Sequence, residues 1–325
     1  EICACLVGSE MCIRDRNDTF KAIVEQKDCD SEQAKVREIN SGIYWFKAEK
    51  LSGLLDKLGN NNAAGEYYLT DTVAVAEKKG VYTADSTDVV LGANSRSQLA
   101  ALNEVARKRK LAELMDEGVD IPLSDGIIIG KDVKIGHDTV ILPNTIIKGK
   151  TVIGNGCEIG PNSYIADCVI EDNVILNNVQ AHESKVDSKA KAGPFVHLRP
   201  NTHLHSGVKI GDFVEVKNSE IGINTCIAHL TYIGDSDVGK GVNFGCGCVT
   251  ANYDGIKKYR TTIGDNAFIG CNTNLIAPVT IGDNATTAAG STITKNVPAD
   301  SLAVERGQTR IIEHWEKNSK RIKKA

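Results

Sequence analysis

Along the middle of the chain an aliphatic residue returns at every sixth position: Ile129, Ile135, Ile141, Ile147, Ile153, Ile159 and Ile165. A strand alternates with a period of two and a helical stripe with a period of about 3.6, so neither generates a strict hexad. A short strand plus a corner that returns the chain to the same inward-facing site does, and that is the rung of a β-helix. Gly130, Gly136, Gly154 and Gly160 follow aliphatic members, and small turn-forming residues fill the remainder, as corners with permissive backbone angles require. Three hexads then make one triangular coil of about eighteen residues, and no coil is stable alone because each buries its apolar face against the next. After a break the ladder resumes at Leu198, Leu204, Ile210 and Val216, then Ile221, Ile227 and Ile233, then Val238 and Phe244, then Ile263, Ile269, Leu275, Ile281 and Ile293. Each change of register marks an insertion, and the long one, residues 250–261, carries charge and aromatics out of the coil. Loops on a rigid scaffold are where sites concentrate.

Ahead of the ladder the pattern is that of a partial α/β domain. Residues 20–24 and 39–46 read as strands, residues 51–58 as a helix, residues 65–76 as introducing another, and residues 81–90 as β-like. Leu99, Leu102, Ala106, Leu111, Leu114 and Met115 recur at helical spacing before Gly118, which predicts a long connecting helix. The domain reading is residues 17–96 for the α/β part, 97–118 for the linking helix, 119–304 for the β-helix and 305–325 for a C-terminal tail.

Residues 1–16 do not fit this scheme. They lack an initiating Met and a basic start, which makes a poor signal peptide. Back-translated with permitted codons, residues 10–16 can be written GAG ATG TGT ATA AGA GAC AG, which resembles a sequencing-adapter end. The expectation is a non-native leader that packs against nothing, with native sequence from about Asn17 and an earlier N-terminal part missing.

The 325 residues are 41% hydrophobic and 25% charged, with a net charge of −4, which gives no reason to expect nucleic acid as a partner. No apolar run approaches the roughly 18 residues that span a bilayer, so no membrane partner is expected either. The tail from Lys317 to Lys324 is locally basic and reads as solvated. Ten cysteines without zinc-knuckle spacing fit reduced thiols in a cytoplasmic protein.

Candidate chemistry sits where the ladder is interrupted. His229 directly follows the inward Ile227-Ala228 step, near a corner, with Tyr232 three residues on. Arg199 and Lys217 break neutral rungs and stack one coil apart, a pair suited to an anion such as a sugar phosphate. His203 and His205 share a strand face, but no third ligand stands at metal-site spacing from them in sequence.

The segments His197-Leu198-Arg199-Pro200, Glu215-Val216-Lys217, residues 228–235 (AHLTYIGD), 243–247 (NFGCG), 252–255 (NYDG) and 288–292 (AAGST), in that order on a hexad ladder, resemble a known family. Its members are the bacterial bifunctional enzymes that acetylate glucosamine 1-phosphate and then uridylylate the product to UDP-N-acetylglucosamine. The resemblance covers essentially everything after residue 17. It implies a left-handed parallel β-helix acetyltransferase, homotrimeric, with acetyl-CoA as donor. It makes His229 the general base, and assigns Arg199, Lys217, Tyr232, Asn243 and Lys258 to the sugar phosphate. Cys246, Asn252, Tyr253, Cys271, Ala289 and Arg306 fall at acetyl-CoA positions. Relatives carry Ala at the Cys246 position and Ser at the Cys271 position; backbone contacts survive those changes, whereas a serine hydroxyl contact weakens.

Residues 24–28 (VEQKD) and 38–42 (EINSG) resemble the nucleotide-sugar side of the family's uridylyltransferase domain. That maps Glu25 and Asn40 onto UDP-N-acetylglucosamine contacts and Asn94 onto both that site and a magnesium ligand. The family's Gly-rich nucleotide loop and the aspartate sharing the metal are absent, so uridylyl transfer is expected to be inactive in this chain. Two other readings of the ladder are a hexapeptide acyltransferase with another acceptor, which the Arg199 and Lys217 pair disfavours, and an inactive trimeric scaffold.

Overall fold

The computed structural model describes residues 10–15, 18–84, 86, 92–93 and 95–313. The chain divides into two compact units, residues 1–108 and 109–325.

In the first unit, β1 (Glu10–Arg14) pairs antiparallel with β2 (Phe20–Glu25), Met11 facing Val24 and Cys12 facing Ile23. For residues 10–15, the described part of the 1–16 segment, this corrects the expectation of no packing. Met11 and Cys12 are buried, Cys12 packs with Phe20 and Ile23, and Arg14 forms two hydrogen bonds to Glu38 at 2.6 and 2.7 Å. An apolar run such as Met11-Cys12-Ile13 beside a strand edge gains ladder hydrogen bonds and burial whatever its origin. The second expected strand, residues 39–46, reduces to one bridge between Met11 and Ile39. The Asn40 side chain accepts the Gly42 N–H at 3.2 Å and Gly42 adopts φ +71°, so the chain turns before a ladder extends. Trp45 is left fully exposed.

Two short helices follow, α1 (Ala48–Leu55) and α2 (Asp71–Val75). No strand forms over residues 81–84; the rest of the β-like run falls mostly outside the described residues. The long helix α3 (Arg96–Asp116) forms as expected. Of its spaced apolar residues only Leu111 and Leu114 are buried, and Leu99 and Met115 are exposed. Gly118 ends it at φ +93°, with Val119 donating to the Leu114 carbonyl at 2.9 Å.

The second unit is a parallel β-helix of three sheets, with 9, 10 and 10 strands among the described residues. Ile129 stands opposite Ile147, and Ile147 opposite Ile165, so each coil takes eighteen residues. Every member of the hexad ladder is buried. The apparent break is not one. The coil continues through Ile170, Leu176, Ala181, Val186 and Ala192, all buried and all in register. Some sides here are one residue shorter, and Ala fills two inward sites, so neither the period nor the bulk of an aliphatic signal survives. Corners are turned largely by Asn and Asp in the left-handed region, from Asp138 and Asn144 to Asn284 and Asp300, the residue types that tolerate it best after Gly. No helix among the described residues is long and apolar enough to cross a membrane.

Candidate functional site

On one sheet the strands Val196–Leu198, Glu215–Lys217, Tyr232–Gly234 and Val249–Ala251 lie side by side. Leu198 pairs with Val216 and Lys217 with Gly234, which stacks Arg199, Lys217 and Gly234 on successive coils. Inward side chains fill the core and their neighbours point outward, so the two cations emerge on one face. Arg199 donates to Glu215 Oε1 at 2.7 Å, a charge-assisted bond that keeps the guanidinium charged. Lys258, from the extruded loop, comes beside Lys217. That neighbouring ammonium, and then burial, pulls the Lys217 pKa below the ordinary lysine range, while Asp235 opposes the shift.

Tyr232 completes the group. A Cβ added at Gly234 would stand 2.4 Å from the Tyr232 hydroxyl and 2.8 Å from Asn252 Nδ2, so Gly234 is small because the tyrosine lies across its backbone. Behind them Asp235 is buried and accepts hydrogen bonds from Asn218 and Asn252. Burial pushes the Asp235 carboxyl up, but those two bonds and the charges of Lys217 and Lys258 outweigh it and hold it below the usual aspartate value. The loop itself is closed by Tyr259 donating to the Asn252 carbonyl at 2.8 Å and by Arg260 bonding Asp237 at 2.9 Å through Nε.

His229 ends the strand Cys226–His229 of the neighbouring sheet. Its side chain is exposed, and the next residue, Leu230, turns the corner toward Tyr232 at φ +43°. A bulky residue in the left-handed region is strained, and Phe195 and Phe213 repeat it at φ +58° with their rings stacked at 5.2 Å. From His229 the same corner continues upward. Gly247 donates to the His229 carbonyl at 3.4 Å, Asn272 to the Cys246 carbonyl at 2.7 Å and Gly290 to the Cys271 carbonyl at 2.8 Å. Cys246, Cys271 and Ala289 thus form a column on successive coils, with the Arg306 side chain 3.8 Å from where a Gly290 Cβ would be.

Within the β-helix the structure gathers most of the sequence-predicted residues in two places. Arg199, Lys217, Tyr232, Lys258 and Asn252 share one face. His229, Cys246, Cys271, Ala289 and Arg306 share a corner. Asn243 lies on the His229 sheet, opposite Cys226, and Tyr253 stands exposed on the loop. Sequence reasoning gave no role to Glu215, Asn218, Gly234 or Asp235. Glu215 and Asp235 lay inside recognised segments, but their partners are one coil away and invisible to linear spacing. The same blindness affected His203 and His205: Asp187 on the adjacent coil supplies the third potential ligand that their sequence spacing lacked.

In the first unit Glu25 and Asn40 both meet Glu10. Asn40 Nδ2 donates to the Glu10 carboxylate and to the Tyr44 hydroxyl. Burial, together with a hydrogen bond to Glu10 and its charge, pushes the Glu25 carboxyl up to about 7. Asn94 lies outside the described residues.

A stacked-coil solenoid with a cationic face beside an exposed histidine defines a hexapeptide-repeat transferase, and residues 260–295 match the family model "Bacterial transferase hexapeptide (six repeats)". The chain belongs to the family of the bifunctional protein GlmU. It is 48% identical to the member from Clostridium acetobutylicum over 93% of this chain and 67% of that one. It is 49% identical to the member from Acetivibrio thermocellus over the same shares of each. Among solved structures, an Arabidopsis UDP-N-acetylglucosamine acyltransferase is similar over 58% of this chain and 68% of its own, at 16% identity and a TM-score of 0.35, too loose a likeness to bear on the chemistry. The β-helix is of the left-handed type.

Proposed function

We propose that the β-helix transfers the acetyl group of acetyl-CoA to the amine of glucosamine 1-phosphate. The product is N-acetylglucosamine 1-phosphate, for synthesis of UDP-N-acetylglucosamine, a cell-wall precursor. The observation that carries this reading is the convergence of Arg199, Lys217 and Lys258 beside Tyr232, one corner from His229. Three cations stand against the two carboxylates Glu215 and Asp235, and a phosphate supplies the negative charge that balances the excess. His229 takes a proton from the sugar ammonium, and the freed amine attacks the thioester carbonyl carbon. The tetrahedral intermediate collapses with cleavage of the C–S bond, its nitrogen loses a second proton to give the amide, and the departing CoA thiolate takes up a proton in return. Tyr232 and Asn243 orient the sugar. The column of Cys246, Cys271, Ala289 and Arg306, with Asn252 and Tyr253, holds acetyl-CoA.

Asn252 and Tyr253 follow a strand of a different sheet from the one that leads to Cys246, which supports a homotrimer whose donor site lies between subunits, packed about a threefold axis. Residues 17–96 are proposed as part of a uridylyltransferase domain, with Glu25, Asn40 and Asn94 toward UDP-N-acetylglucosamine and Asn94 toward Mg2+. These assignments rest on the resemblance. The free cysteines among the described residues support a cytoplasmic setting.

The test is thiol release from acetyl-CoA with glucosamine 1-phosphate and with glucosamine. Release that depends on the phosphate supports the reading. Equal rates assign another acceptor, and no release with either leaves a scaffold.

A further inference from the structure

A second cluster lies on the third sheet, away from the cations. The strands Lys185–Val186, His203–Leu204 and Glu220–Ile221 pair in register, Lys185 with His203 and His203 with Glu220. Leu204 points into the core, so His203 and His205 on either side of it point out. Their rings lie against one another, tilted by 37° with centroids 3.9 Å apart. At one pole of this pair stands Asp187, its Oδ1 at 2.9 Å from His203 Nε2 and its Oδ2 at 3.2 Å from His205 Nδ1. At the other stands Glu220, whose Oε2 is 2.9 Å from His203 Nδ1 and 3.0 Å from His205 Nε2.

Counting protons shows what this arrangement asks for. Four ring nitrogens face carboxylate oxygens, yet two neutral imidazoles carry only two N–H groups. If those two point at Glu220, two lone pairs and a carboxylate converge at the Asp187 pole with nothing positive between them except Lys185, whose ammonium reaches Asp187 Oδ1 at 2.9 Å. Protonating that pole as well makes two imidazolium rings with centroids 3.9 Å apart. A divalent ion resolves the conflict. Bonds of about 2.0–2.2 Å in a tetrahedral shell place ligand atoms roughly 3.3 Å apart; the two ring nitrogens stand 2.9 and 3.2 Å from the Asp187 oxygens, and the three ligand atoms lie within 4.8 Å of one another. Ligating histidines characteristically donate their other N–H to a carboxylate, which is the place Glu220 holds. Two imidazoles and one carboxylate select zinc or its late-transition neighbours over magnesium or calcium.

We propose that Asp187, His203 and His205 form a binding site for a divalent transition-metal ion, zinc foremost, with Glu220 orienting both imidazoles and a fourth position open to water. The ion bridges two successive coils, and Glu220 ties the third to them through the imidazoles, on a face that the acetyl-transfer residues do not occupy. Lys185, whose side chain is about half exposed, swings aside on binding.

The experiment is calorimetric titration of the whole chain with zinc alone, paired with the cobalt absorption spectrum. Wild type is expected to take up zinc at this site and to melt at a higher temperature with it, and cobalt is expected to give tetrahedral d–d bands without thiolate charge transfer. His203→Ala with His205→Ala removes this binding, and Glu220→Gln weakens it about 10- to 100-fold. Lys185→Ala tightens it by removing the competitor at Asp187, and this variant keeps the test decisive should the histidine pair fail to fold. Undiminished zinc binding by the double variant, thiolate charge transfer in the cobalt spectrum, or a Lys185→Ala protein that binds no better than wild type overturns the proposal.

Discussion

The Arg199 guanidinium donates to Glu215 at 2.7 Å from one coil to the next, so the cation assigned to the substrate phosphate is already held in place before substrate arrives. Holding matters because a long side chain that must be ordered on binding gives back part of what its charge contributes. Glu215→Gln keeps a hydrogen-bond acceptor but loses the charge. It is expected to raise the KM for glucosamine 1-phosphate several-fold with a smaller change in kcat, and Arg199→Ala to raise it further. Steady-state kinetics in the sugar phosphate check both. An unchanged KM in Glu215→Gln shows that Arg199 needs no such support.

Lys217 gives the binding site a pH dependence of known sign. Its pKa lies below that of an ordinary lysine, first because of Lys258 and then because of burial, whereas a bound phosphate favours the charged form. Binding therefore takes up protons as the solution pH nears the lowered pKa, and affinity falls as pH rises through it. Removing Lys258 lifts the largest cause, so Lys258→Ala is expected to move that alkaline limb to higher pH while weakening binding at neutral pH. Titrations of sugar-phosphate affinity from pH 7 upward decide this, and a limb that stays in place assigns the dependence to another group.

Glu25 makes a separate prediction for the first unit. Its folded-state pKa is raised to about 7 by burial and by Glu10, so the folded protein binds its proton more tightly than the unfolded chain. The contribution of this group is fully present below the unfolded glutamate value of about 4.3, and it is lost as pH rises through about 7. Glu25→Gln, which stays neutral, is expected to stabilise this unit relative to wild type at pH 8 and to change it little at pH 4. Parallel melting profiles of the two proteins across this range contradict the assignment.

Legibility in the sequence followed how far each feature's cause lies along the chain. The hexads were readable because Ile129 to Ile165 repeat one local environment, and every ladder residue proved buried. The stretch from Ile170 to Ala192 was not, because coils shortened by a residue and inward alanines erase the period while keeping the same core. In the first unit Ile39 to Phe46 read as a strand from composition, yet the Asn40 turn and β1 decided its conformation. The site divides the same way. Arg199 and Lys217 were found because the coil length predicts their stacking, whereas Asp187 beside His203 and Asp235 beneath Lys217 depend on which shortened coil sets the register.

The assignment of His229 as general base rests on the chemistry of the acceptor. A sugar ammonium has no lone pair and cannot attack a thioester until it loses a proton, so a base must reach the amine. Arg199 and Lys217 stay largely protonated at neutral pH and serve better holding the phosphate, and Asp235 is buried beneath them and occupied by Asn218 and Asn252. Glu215 is engaged by Arg199. His229 is exposed at the corner where the cationic face ends and the Cys246 column begins, so it alone of these groups stands between the two substrates' proposed positions. Imidazole is the side chain most often used to move a proton in catalysis, and a positioned base contributes about 10²- to 10⁴-fold in rate. His229→Ala is therefore expected to lower kcat by at least ~10²-fold while sugar-phosphate affinity changes little, and the residual rate should climb with pH as solution deprotonates the amine. Single-turnover acetyl transfer with a parallel binding titration measures both quantities. Near-wild-type turnover in His229→Ala would remove the histidine from the reaction and leave the deprotonated fraction of free substrate as the attacking species.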